Sequence, residues 1–91
     1  HMEALSVVLQ EDRKILVCGY IYDGVTADAL LMRFTTKGVP DPTFGDNGRV
    51  IVDLGADDDE ADNVDVTPDG GIIVSASSAE DIVVARFTPQ G

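Results

Sequence analysis

Carboxylates are the groups most able to do chemistry in this sequence, and they cluster. Asp57-Asp58-Asp59-Glu60 form a solid block, with Asp53, Asp62 and Asp65 close by. Hard divalent cations want several oxygen ligands, so Asp57, Asp58, Asp59 and Asp62 are the candidate ligands of a calcium site. The spacing does not fit a helix–loop–helix calcium loop, and the pattern favours a solvated acidic loop over a metal. No metal site is assigned firmly and no cofactor is called for. A second acidic stretch is Asp41-Pro42-Thr43-Phe44-Gly45-Asp46-Asn47-Gly48. Asp and Asn in such a stretch commonly satisfy turn backbone groups. Asp41 is therefore read as structural, with Phe44 as a plug beneath the loop.

The cationic and aromatic residues divide the same way. Arg33 and Arg86 sit inside apolar runs. A buried charge without a partner is costly, so each is expected to pair with a carboxylate or with loop carbonyls and to tie a strand to a turn. Tyr20 and Tyr22, with Asp23 and Asp28 nearby, could stack a sugar ring, although two tyrosines at a strand end are more often structural. Cys18 lies in Ile15-Leu16-Val17-Cys18 and reads as a small buried hydrophobe; as the single cysteine, it excludes an internal disulfide. His1-Met2 reads as a cloning remnant, which sets aside the only histidine. There is no Gly-rich phosphate loop, no Cys/His cluster and no Ser/His/Asp set. Pairs of carboxylates arise by chance in so acidic a chain, so no catalytic residue is assigned.

The charge balance narrows the partners. Seventeen acidic residues face six basic ones, for a net charge of −11. That field repels nucleic acid and anionic membranes. No run approaches the ~20 apolar residues of a membrane-spanning helix. Ninety-one residues suit one small domain with a modest core.

Short strands must position these residues. Runs such as Ile15–Cys18, Leu30–Met32, Val50–Val52 and Ile72–Val74 are brief, apolar and mostly β-branched, and turn residues bound each one. That pattern predicts strands covered on both faces. Seven are expected, at 4–9, 14–20, 29–35, 49–54, 63–67, 72–77 and 82–88. The acidic stretch 55–60 is expected to be a loop. Residues 36–48 hold two prolines and three glycines and should carry no regular element.

The chain also repeats itself. A shift of 57 positions places Glu3-Ala4 on Glu60-Ala61, Val7 on Val64, Asp12 on Asp69, Ile15 on Ile72 and Val17 on Val74. After a contraction in the loop, a shift of 53 places Asp28 on Asp81, Arg33-Phe34-Thr35 on Arg86-Phe87-Thr88, and Gly38 on Gly91. Residues 1–2 aside, this divides the chain into a four-stranded first repeat, 3–54, and a three-stranded second repeat, 55–91. A repeat of about four strands is the size of a propeller blade.

The motif Leu9-Gln-x-Asp-x-Lys-Ile-Leu-Val-x-Gly19, continued by Arg33-Phe-x-x-x-Gly-x-x-Asp-x-x-Phe-Gly-x-x-Gly48, resembles the bacterial delta-60 repeat. Residues 66–74 and 86–91 carry a weaker copy. Arg13 departs from the turn glycine usual in that family, and Ala76 stands where Gly19 does. The resemblance implies an all-β fold of antiparallel propeller blades from secreted or cell-surface bacterial proteins, with no defined catalytic residues. The function expected is a structural or protein-interaction scaffold. The alternatives are a calcium- or carbohydrate-binding propeller, or a fragment of a propeller hydrolase or lactonase. Two repeats do not close a ring, and open sheet edges pair with other chains. A homo-oligomer built through edge strands or blade contacts is expected.

Overall fold

The computed structural model describes residues 1–52, 58–79 and 81–91. Among the described residues, seven strands account for the regular structure: β1 Met2–Leu9, β2 Ile15–Tyr22, β3 Ala27–Phe34, β4 Arg49–Val52, β5 Asp59–Val66, β6 Ile72–Ser78 and β7 Asp81–Phe87. They form two antiparallel sheets, one ordered β1-β2-β3-β4 and the other β5-β6-β7. Antiparallel strands paired in sequence order need no crossover, so each sheet is a simple meander.

The turns obey the repeat closely. Gln10 N donates to Lys14 O at 2.9 Å and Arg13 N to Gln10 O at 2.9 Å; 57 residues later, Thr67 N donates to Gly71 O and Gly70 N to Thr67 O, both at 2.9 Å. Arg13 has φ 69° where Gly70 has φ 87°, so an arginine occupies a backbone conformation that suits glycine. The first strands share a β-bulge as well, between Ala4 and Ser6 in β1 and between Ala61 and Asn63 in β5. The two bulges touch: Ser6 Oγ donates to Asn63 Oδ1 at 2.8 Å.

The two sheets pack face to face. Leu16, Cys18, Ala29 and Leu31 from the first meet Ala61, Val64, Ile72 and Val74 from the second. Pairing within each sheet aligns these side chains: Cys18 lies opposite Leu31, and Val64 opposite Val74. Phe44, from the β3–β4 connection, is fully buried in the same cluster.

The strand boundaries differ from expectation chiefly at the acidic block. β5 opens at Asp59, not at residue 63, so part of the expected loop is a strand. The reason is burial: Asp59 is fully buried and its carboxylate accepts a 2.7 Å hydrogen bond from Ser78 Oγ, on the residue it faces across β6. A solvated-loop reading therefore fails for Asp59. Residues 55–57 of that loop, and 53–54 at the end of the expected fourth strand, lie outside the described residues. Met2 belongs to β1, and the N-terminal ammonium of His1 donates to Tyr22 O at 3.1 Å.

Candidate functional site at the joint between the repeats

The joint is organised by Arg33. Its strand neighbours Ala29 and Leu31 face the second sheet, so alternation sends Arg33 toward that sheet too. The residue is 5% exposed. A guanidinium in such a place must have its donors met. The β3–β4 connection folds back to do this, through Arg33 N to Gly48 O at 2.9 Å and Asp41 N to Arg33 O at 3.0 Å.

Every nitrogen of the guanidinium is then engaged. Nε donates to Asp41 Oδ2 at 3.0 Å, and Nη2 to Thr43 Oγ1 at 3.3 Å. Nη1 donates to Gln10 Oε1 at 3.4 Å and to the Pro89 carbonyl at 2.6 Å. The Arg33 Cζ lies 4.6 Å from the centre of the Phe44 ring, within cation–π range. Lys14 Nζ adds a second cation 3.1 Å from Asp41 Oδ2. The other Asp41 oxygen accepts from Thr43 N at 3.0 Å and Thr43 Oγ1 at 2.7 Å. Those two Thr43 bonds, with help from Lys14 and the Arg33 charge, hold the Asp41 carboxyl well below the usual carboxylate range against the opposing effect of burial.

Pro89 belongs to the second repeat, so Arg33 ties the repeats together. A second bond does the same, from Gly45 N to Gln90 O at 3.0 Å. Gly91 follows and sits tightly: a Cβ there would lie 3.1 Å from Val50 and 3.2 Å from both Gly45 N and the Phe44 ring. The matching glycine of the first repeat, Gly38, has open space around it. Above the joint lies an open cleft of about 700 Å³, bordered by Gln10, Asp12, Lys14, Arg33, Thr67 and Pro89.

The remaining residues singled out in the sequence are scattered. Asp57 lies outside the described residues. Asp58 is exposed and bridges Ala27, Asp59 is buried against Ser78, and Asp62 is exposed on β5. Among the described residues, no three His, Cys, Asp or Glu side chains are grouped to hold a metal ion. Arg86 differs from its counterpart: it is exposed, and its Nη2 lies 3.2 Å from Asp69 Oδ2, also exposed. Arg86 thus has the expected carboxylate partner, which ties β7 to the turn before β6, but not the expected burial, because no described segment covers it as residues 40–48 cover Arg33. The Tyr20 hydroxyl bonds the Glu3 carboxylate, and the Tyr22 hydroxyl donates to Gly24 O at 3.0 Å. Cys18 is buried; burial, and secondarily the Asp62 charge, push its thiol up to about 11.

Sequence reasoning missed Lys14, Gln10, Thr43 and the Pro89 carbonyl. The only hint was the recurrence of the turn after each arginine, Thr35 to Gly38 and Thr88 to Gly91, which does not say what that turn rests on.

Residues 10–44 match a protein family described as a domain of unknown function (DUF5122) beta-propeller. The fold is a partial β-propeller. The match spans the first tight turn, β2, β3 and the loop through Phe44, and so includes Arg33, Asp41 and Phe44. The two open sheets of four and three strands are its blades. No curated protein and no solved structure matches the chain.

Proposed function

We propose that this chain is a non-catalytic pair of propeller blades of the delta-60 kind, acting as a structural and protein-interaction scaffold that associates with itself. The observation that carries this reading is the use made of Arg33. It is the one strongly basic group buried in the joint, and all of its nitrogens are spent on Asp41, Thr43, Gln10 and Pro89. A site that binds or turns over a ligand keeps such a group available to it; here the group fastens one blade to the next. The open edges of both sheets support association, because unpaired strand edges recruit further chains. The delta-60 resemblance supports a secreted or cell-surface setting in a bacterium. Light scattering across the micromolar to near-millimolar range tests the reading. A mass above the 9.6 kDa of one chain, rising with concentration, is expected. A single-chain mass throughout would overturn self-association.

A further inference from the structure

The packing of the two blades shows how another copy would be taken up. Within one chain, the first sheet uses the face carrying Leu16, Cys18, Ala29 and Leu31. The second sheet meets it with the face carrying Val64, Ile72, Val74 and, at its margin, Phe87. Each sheet has one further face, and the repeat identifies what each of these is.

The free face of the first sheet is the counterpart of the second sheet's buried one. Val7, Ile15, Val17 and Phe34 match Val64, Ile72, Val74 and Phe87, and the strand pairing agrees: Ile15 lies opposite Phe34 as Ile72 lies opposite Phe87. Yet Val7 is 64% exposed where Val64 is 5% exposed. An apolar groove of about 200 Å³ runs along this face, between Val17, Leu30, Met32 and Phe34.

The free face of the second sheet is the counterpart of the first sheet's buried one. Ile73, Ser75, Ile82 and Val84 match Leu16, Cys18, Ala29 and Leu31, and Ser75 lies opposite Val84 as Cys18 lies opposite Leu31. Ile82 and Val84 are the most exposed of these, at 86% and 68%, whereas Ala29 and Leu31 are 1% exposed. So the two sheets present two unlike apolar faces, each the counterpart of a face that is already mated between them.

We infer that the free face of the first sheet receives the free face of the second sheet from another copy of this chain, head to tail, in the relation the two sheets keep within one chain. The contact is heterologous, so each copy has one face of each kind and addition continues until the rotation closes. Natural propellers hold roughly four to eight blades, which corresponds to roughly two to four copies in a closed set. The inference rests on the self-association proposed above and specifies its interface.

Two single-face variants test it. Val7→Asp places a charge on the first sheet's free face, and Val84→Asp on the second sheet's. Both positions are exposed in the single chain, so each variant should keep its circular dichroism spectrum and a cooperative melt. By light scattering, each alone is expected to fall to the 9.6 kDa of one chain. Mixed in equal amounts, they should recover a two-chain species and nothing larger, because each then supplies the face the other has lost. Two other outcomes would overturn the inference while leaving self-association standing. One is association that survives both variants, as edge-strand pairing would. The other is loss of association in only one variant, as a symmetric contact through one face would give. A wild-type chain that stays single at every concentration overturns both.

Discussion

At the scale of single residues, Arg33 and Asp41 have different claims on stability. Arg33→Met removes the buried member of the Asp41 ion pair, leaving Asp41 only Lys14 and the two Thr43 bonds, and strips the Pro89 carbonyl of its guanidinium donor; breaking a buried ion pair is strongly destabilising. The melting temperature is expected to fall by roughly 10 °C or more, measured by circular dichroism; an unchanged melt would show that the pair is not structural. Asp41 adds a pH dependence. Its folded-state pKa is depressed, chiefly by the Thr43 hydroxyl and backbone N–H. Its contribution is therefore present above the ordinary carboxylate pKa of about 4 and is lost as pH falls below that value. Melting temperature should drop between neutral pH and pH about 3, and Asp41→Asn should shrink that drop. Cys18 supplies an independent check. A thiol that is buried and pushed up to about 11 should resist alkylation in the native protein at mildly alkaline pH and react at once in denaturant. Fast native labelling would mean that the sheets open readily there.

At the scale of elements, the tight turns offer a comparison inside one molecule. Gly70 and Arg13 hold equivalent places with the same hydrogen bonds, but only one of them has a Cβ. The left-handed conformation costs an ordinary residue about 1 kcal/mol. Arg13→Gly is therefore expected to raise the melting temperature by a few degrees, about 4 °C; a fall would show that Arg13 makes contacts worth more than the strain. Gly45 presents the reverse case. It has φ 53°, and a Cβ there would come within 2.4 Å of Arg49 O. Gly45→Ala must push the loop off β4, and with it the seat of Gln90 and Gly91. Looser docking of the second repeat, seen as faster amide exchange along β6 and β7, is the expected result.

At the scale of the whole molecule, a net charge of −11 on 91 residues opposes any contact between copies. Apolar faces such as those with Val7, Ile82 and Val84 favour that contact. Salt decides the balance in a predictable direction. Raising ionic strength from about 0.01 M to about 0.1 M shortens the Debye length from about 30 Å to about 10 Å, which weakens the repulsion and leaves burial of apolar surface nearly untouched. Association measured by sedimentation should strengthen over that range. Weakening with salt would mean that ion pairs between copies hold the assembly.

Seven short strands, their order and the 57-residue recurrence of the turns were legible in the sequence because each depends on local signals: β-branched runs, Pro and Gly punctuation, and like residues at a fixed offset. Arg33, Asp41 and Phe44 stood out for a similar reason, since a charge in an apolar run and a ring in a polar loop are conspicuous from composition alone. What the sequence could not supply was proximity. Asp59 looked like part of a solvated block, yet the pairing of β5 with β6 buries it against Ser78. Arg33 and Arg86 occupy matching positions in matching strands, but one is enclosed and the other faces solvent. Strand type depends on residues a few places apart, whereas burial depends on which distant segment happens to cover a face. Only the folded chain brings Pro89 onto Arg33, and only the folded chain leaves Val7 bare while its counterpart Val64 is covered.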